Sequence, residues 1–318
     1  MDAATRAIGL CEDLAAHDVQ RRNIGPLAAH VRGTLLPAAR SVASHPTPSV
    51  AIVTGFFLIH GEPPNCETDG PPGAAHLAAG LAAAGIPCRL ATDVFSADVV
   101  KSAASGAGIE HIVPVDVVSA NDGDDGLPID RVRERWQGGP TPVSHVISIE
   151  RCGPSADGLP RDARGVDISS RNAPLEGLYR GDWVTIGIGD LGNELGMGSL
   201  PGDLVARNIR NGEALWCTVP CDYPLVSGIS NWGAAALLAA IAILKADVGH
   251  LMLPFLRPSF AERLLEAVFR AGAVASDATG SPPAPRPYVD GLSWPSLAGT
   301  YQEIHQVCER TLALAPTG

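Results

Sequence analysis

A chain of 318 residues, 46% hydrophobic and 18% charged, can bury a substantial core, which excludes a disordered or low-complexity protein. Its formal net charge of −11 lacks the basic excess that nucleic acid demands, and charged residues interrupt its longest apolar run. Nucleic acid and membrane are therefore not expected partners, whereas a small molecule or a second copy of the chain stays open.

Residues 1–45 read as a helical arm. Apolar positions recur at three- and four-residue steps around Leu10, Leu14, Leu27, Val31 and Leu35, until "HPTPS" stops the pattern. "SVAIVTGFFL" follows as a strand buried on both faces, then the loop "IHGEPPNCETDGPPG" and the alanine-rich helix "AAHLAAGLAAAG". "IPCRLATD" is the next strand, so the first unit is β-loop-α-β, which implies a right-handed crossover and a parallel sheet. "ADVVKSAASGAG" continues as helix and "IEHIVPVD" as strand, while "SANDGDDGLPID" reads as a solvated turn without the ligand spacing of a calcium loop. "VSHVISIERCG" and "GDWVTIGIGDLGNELGMG" are strands running into polar loops. "EALWCTVPCDYPLVSGISNWGAAALLAAIAIL" supplies a strand, a loop and a long buried helix. "FAERLLEAVFRAGAVASDATG" and "SLAGTYQEIHQVCERTLAL" are amphipathic helices. The expected fold is α/β: a mainly parallel sheet flanked by helices in Rossmann-like layers, with residues 46–318 as one domain behind the arm.

Cysteines at 11, 66, 88, 152, 217, 221 and 308 are odd in number and scattered, which argues against a disulfide framework. Cys217 and Cys221 lack a second pair that would complete a zinc site, and the histidines show no ligand spacing. With no signal-peptide pattern at the start of the chain, the expected compartment is the cytoplasm.

Polar clusters follow one strand after another: "ETDGPPG", "ERCG", "GDLGNELG", "SGISNWG" and "SDATG". Ligands of open parallel sheets bind beyond the carboxyl ends of the strands, so these loops are expected to meet in one cleft. "GIGDLG" spells a dinucleotide fingerprint, but it sits mid-chain with Asp190 where a pyrophosphate would lie, and no lysine follows. Glycines of this kind let backbone approach a small polar ligand, and the acids suit an ammonium group, a proton or a divalent cation. Asp190 or Asn193, and likewise Thr68 or Asp69, also suit helix capping.

Taken in order, "TGFFLIHGEPPNCETDGPPGA", "IERCGPSADGLPRDARGVDIS", "GDWVTIGIGDLGNELGMG", "SGISNWGAAAL" and "SDATG…YVDGL" resemble the D-glutamate cyclases over about residues 45–295. The resemblance implies an α/β catalytic domain over 46–318. It also implies a lyase that closes D-glutamate into 5-oxo-D-proline with loss of water. Two features depart from the family pattern: Leu191 stands where a second glycine is common, and residues 155–164 lack an aromatic pair before Arg164–Gly165. The larger eukaryotic members also carry a further domain.

That chemistry asks for a base at the substrate amine, and Glu194 or Asp190 is the candidate. It asks for a proton donor to the departing oxygen, for which Asp69 or Glu67 is the candidate. Arg151, Arg164 and glycine-loop amides are expected to hold carboxylates. The remaining candidate contacts are Thr54, Gly55, Thr68, Gly70, Glu150, Asp167, Gly189, Gly192, Asn193, Ser230, Asn231 and Asp277. No organic cofactor is implied. Magnesium or manganese on Asp190 and Glu194, joined by Asp69, Glu150 or Asp167, remains open. The alternatives are a metal-assisted enzyme acting on another small amino acid or carboxylate, and a non-catalytic protein that binds an acidic metabolite.

Overall fold

Every residue of Val50–Thr54 is buried, as a continuous apolar run between two helical layers demands. The computed structural model describes residues 2–275 and 288–314. From the amino end the elements run α1 (Ala3–Ala15), α2 (Gly25–Val31), α3 (Leu35–Ala43), β1 (Val50–Thr54), β2 (Phe57–Leu58), β3 (Asn65–Cys66), α4 (Pro71–Ala83), β4 (Cys88–Asp93), α5 (Ala97–Ala107) and β5 (Val115–Val118). Then come α6 (Ile129–Gly138), β6 (His145–Ile149), β7 (Val184–Gly189), α7 (Gly202–Asn208), α8 (Gly212–Leu215), β8 (Tyr223–Val226) and α9 (Ser230–Leu244). The chain continues through α10 (Ala246–Met252), α11 (Pro258–Arg270), β9 (Tyr288–Val289), β10 (Leu292–Ser293) and α12 (Trp294–Ala313).

Six strands form one sheet in the order β5-β4-β1-β6-β7-β8, and every neighbouring pair is parallel. The chain leaves β1 toward β4 and β5, then returns to the other side of β1 with β6. The carboxyl ends of β1 and β6 therefore flank the point where winding reverses, the place where open α/β sheets leave a crevice. Alternation along each strand divides the core. Val50 and Ile52 join Ile147 and Ile186 under α4, α9, α1 and α3, while Ala51, Val53 and Val146 face Val132 and Trp136 of α6.

The α/β fold with its parallel sheet and flanking helices is as expected, and three local details differ. The expected strand "IEHIVPVD" begins only at Val115, because Ile109 and Val113 close the end of α5 through bonds to Ala104 and Ile109 carbonyls. The segment around "EALW" is the short helix α8, and the strand of that region is "YPLV". Helix α6 sits in a stretch without a strong apolar stripe, anchored by Val132 and Trp136, four residues apart and buried against the sheet.

Helix α9 carries the long apolar run. It is buried from Ser230 to Ile243, which is why it is apolar all round. Among the described residues no helix is long and apolar enough to cross a membrane. The seven cysteines are free thiols. The loop after β5 is closed by Asp124, whose carboxylate accepts the N–H groups of Ala120, Asn121 and Gly126.

Candidate functional site

Four adjacent strands, β1, β6, β7 and β8, end at one edge of the sheet and hand over to the loops at 55–70, 150–153, 190–200 and 227–230. Glu67, Asp69, Glu150 and Asp190 arrive from these loops and are buried, and Asp290 joins them from the turn between β9 and β10. Carboxylate oxygens of Asp69, Asp190 and Asp290 lie within 4.8 Å of one another, as do those of Glu150, Asp190 and Glu194. Distant loops thus gather four of the sequence-predicted acids into one anionic pocket, with Glu194 beside them.

Each acid is held differently. Asp69 accepts the N–H groups of Ser230 and Asn231 at 2.9 Å, so it caps α9 and faces that helix's positive end. The expected cap on α4 comes instead from Asn231, whose Oδ1 accepts the N–H groups of Gly70 and Gly73 at 3.1 and 2.6 Å. The two helices therefore cap each other, which locks Asp69, Ser230 and Asn231 into one unit. Gly70 adopts φ 91°, and a Cβ there would come within 2.7 Å of Thr54 Oγ1 and 2.8 Å of Glu150 Cβ. Glu150 itself has φ 47°, a strained value for a glutamate, and its carboxylate accepts the Ser230 hydroxyl.

The glycine loop after β7 does cradle an anion, but one supplied by the chain. Glu194 is fully buried and accepts the N–H groups of Asp190, Leu191 and Gly192 at 2.7, 2.8 and 2.7 Å. Gly189 allows this approach, since a Cβ there would meet the Glu194 carboxyl at 2.6 Å. No helix follows for Asp190 to cap. Its carboxylate instead receives Arg22 Nη1 at 2.7 Å, from the loop between α1 and α2.

Burial sets the proton affinities. It pushes the Glu67 carboxyl well above the usual range, reinforced by the charges of Asp290, Asp69 and Asp190, with Arg22 opposing. Burial and Asp290 carry Asp69 up to about 7 against its three backbone N–H bonds. Glu150 is raised by burial and by Asp190, Glu194, Glu67 and Asp69. Asp190 is raised by burial although Arg22 pulls it down. Among the described residues Glu67 Oε1 is buried without a hydrogen-bond partner, as is Thr54 Oγ1, so both have unused polar capacity.

These affinities give a stability test. The unfolded chain loses the Glu67 proton near 4.5, whereas the folded protein keeps it to a much higher pH. Across that window the folded state binds the extra proton, so stability falls as pH rises, by about 1.4 kcal/mol per unit of separation. Glu67→Gln removes this titration. The variant is expected to melt higher than wild type at pH 8, with the gain shrinking toward zero near pH 4. A gain independent of pH would contradict the assignment.

Other expected contacts lie elsewhere. The Arg151 guanidinium does not reach toward the acids: it is fully buried, 2.7 Å from Asp93, and donates to the Gly55 and Ala173 carbonyls. Asp93 at the end of β4 captures it, so Arg151 ties three loops together rather than facing the pocket. Arg164 and Asp167 are exposed on the 155–171 loop, with Asp167 accepting the Ser169 N–H. Asn193 turns away to donate to the Arg161 carbonyl, and Thr68 donates to the Tyr288 carbonyl. Gly55 and Gly192 sit in left-handed turns at the ends of β1 and β7. Asp277 lies outside the described residues. Leu191, the departure from the family glycine, packs with Ile24, Leu27 and Val31 of the arm.

The sequence reading missed Arg22, Gln20 and Asp290. Gln20 Nε2 donates to Asp290 at 2.8 Å, and Arg22 Nη2 lies 3.5 Å from the same carboxylate. Asp290 was within reach through the quoted "YVDGL", but nothing around residues 18–24 marks a site.

The family described as "D-glutamate cyclase-like, C-terminal" matches residues 11–305, which takes in the arm as well as the sheet. A human protein named "D-glutamate cyclase, mitochondrial" is 32% identical over 255 residues, 78% of this chain and 41% of that protein. The chain thus matches about two fifths of the relative's length.

Proposed function

The chain belongs to the D-glutamate cyclase-like family, and from that premise we propose that it cyclises D-glutamate to 5-oxo-D-proline with loss of water. The observation that carries this reading is the meeting of buried carboxylates with raised proton affinity at the β1/β6 crevice, with one arginine beside them. An ammonium group is drawn to such a pocket and a phosphate is repelled by it. The chain's own Glu194 fills the phosphate-like cradle.

In the reaction the substrate nitrogen bonds to the carbon of its own γ-carboxyl group, one oxygen of that group leaves, and the two protons lost by the ammonium depart with that oxygen as water. Asp190 is the base in this reading, since Arg22 favours its ionised form and Glu194 is occupied by three N–H groups. Glu67 is the donor to the leaving oxygen: burial and the neighbouring acids raise its proton affinity well above the usual range, and among the described residues Oε1 has no other partner. Asp69, near 7, stands ready to pass a proton between them. Free thiols fit a reducing compartment such as the cytoplasm, while the human relative's name places that protein in mitochondria.

The two carboxylate trios favour one second reading, in which a divalent ion assists. Oxygen-only ligands suit magnesium or manganese, and an ion there would neutralise charge developing on the substrate carboxylate. Incubation with D- and L-glutamate, followed by chiral detection of 5-oxoproline, tests the main proposal. Product from D-glutamate supports it, and its absence with both enantiomers overturns it. Activity lost to chelator and restored by manganese selects the metal-assisted form, and chelator-resistant activity removes it.

A further inference from the structure

We propose that Arg22 is the receptor for the substrate's α-carboxylate and therefore selects amino acids over simple amines. This assignment rests on the cyclase reading. A zwitterion entering the pocket brings an ammonium group that the acids attract and, on the same carbon, a carboxylate that they repel. A cation at the pocket wall resolves that conflict. Among the described residues Arg22 is the cation ion-paired to this cluster, 2.7 Å from Asp190 and 3.5 Å from Asp290. Its side chain is 16% exposed while those of Asp190 and Asp290 are 3% and 6% exposed, so Arg22 is the more accessible partner of these ion pairs. Arg151 is committed to Asp93 and two carbonyls and is fully buried.

The backbone around Arg22 is built to hold it there. Arg21 and Asn23 both adopt left-handed conformations, at φ 57° and 65°, on either side of the arginine. Each is unfavourable for a non-glycine residue, and such strain persists where the surroundings enforce it. Here the Asp18 carboxylate enforces it by accepting the N–H groups of Arg22, Asn23 and Ile24 at 2.8, 2.8 and 3.2 Å. Asn23 reaches the Asn208 carbonyl at 3.1 Å, and the Gly228 N–H binds the Ala15 carbonyl at 2.8 Å, which ties the arm to the loop that carries Ser230.

The α- and γ-carboxylates can be told apart by their fates. The γ-carboxyl must take a proton and lose an oxygen, which a guanidinium cannot assist by proton donation. The α-carboxylate leaves unchanged, so a fixed two-pronged donor suits it.

The test compares D-glutamate with 4-aminobutyrate, which has the same amine and γ-carboxylate but no α-carboxylate. Arg22→Met is expected to raise KM for D-glutamate by about 100-fold, and kcat falls as well because Asp190 loses the partner that favours its ionised form, so KM and Ki carry the test. The Ki of 4-aminobutyrate as a competitor should move less than about 3-fold, since it makes no contact with a guanidinium placed for an α-carboxylate. Arg22→Lys, which keeps the charge and loses the fork, should fall between and decides the matter if the methionine variant does not fold. KM and Ki rising together, or neither rising, overturns the assignment. If wild type does not convert D-glutamate, the cyclase reading fails separately. Calorimetric binding of D-glutamate then settles Arg22: binding lost in the variant supports the role, and equal or absent binding in both proteins ends it.

Discussion

An Asp190→Asn variant is expected to lose about 100- to 10,000-fold in kcat/KM for D-glutamate cyclisation while remaining folded. Asparagine keeps the shape of the side chain and can still accept a bond from Arg22 through its carbonyl oxygen. What it loses is the ability to take a proton. At neutral pH the substrate amine is protonated and cannot attack, so the base acts before the ring can close. The proposal gives this role to Asp190 because Arg22, 2.7 Å away, favours its ionised form while burial opposes it. The loss should fall mainly on kcat, because ground-state attraction of the ammonium persists through Asp69, Glu150 and Asp290. Steady-state kinetics against pH, with circular dichroism to check folding, decide the point. A folded variant within tenfold of wild type would remove Asp190 from the base role.

Glu194→Ala is expected to destabilise the fold by about 3–5 kcal/mol in denaturant unfolding. The carboxylate neutralises three converging N–H groups in a fully buried turn. Deletion leaves those donors without partners and opens a void against Gly189, where the carboxyl group now packs. Asp190 sits on this turn, so activity should fall as well, as a consequence of lost position. Glu194→Gln keeps an acceptor oxygen but turns an amide toward one N–H, and should cost less than the alanine change. Unchanged stability in the alanine variant would show that the turn holds itself and would return Glu194 to the candidates for direct chemistry. The two experiments separate cleanly, since Asp190→Asn predicts lost activity with stability retained.

Much of the site was legible because its acids sit in loops directly after apolar strands. Glu150 follows β6 and Asp190 follows β7 without a break, so a strand boundary read from hydropathy nearly fixes where each carboxylate emerges. Glu67 and Asp69 stand in the one long loop between β1 and α4. The assignment of roles was less legible. Arg151 and Glu194 have the right residue types in the right loops, yet both turn inward to partners that local sequence does not reveal: Asp93, 58 positions before Arg151, and the chain's own amides. Asn231 and Asp69 each cap a helix, but each caps the other's.

The sequence alone determined that this chain is an α/β protein whose polar loops gather beyond the strands, because hydrophobic period and strand-to-loop order are local properties. Only the tertiary structure decided that Arg22 meets Asp190 across 168 positions and that Asp290 completes the pocket. The reason is physical: a buried ion pair is fixed by which surfaces pack together, and nothing within a few residues of either partner encodes that meeting.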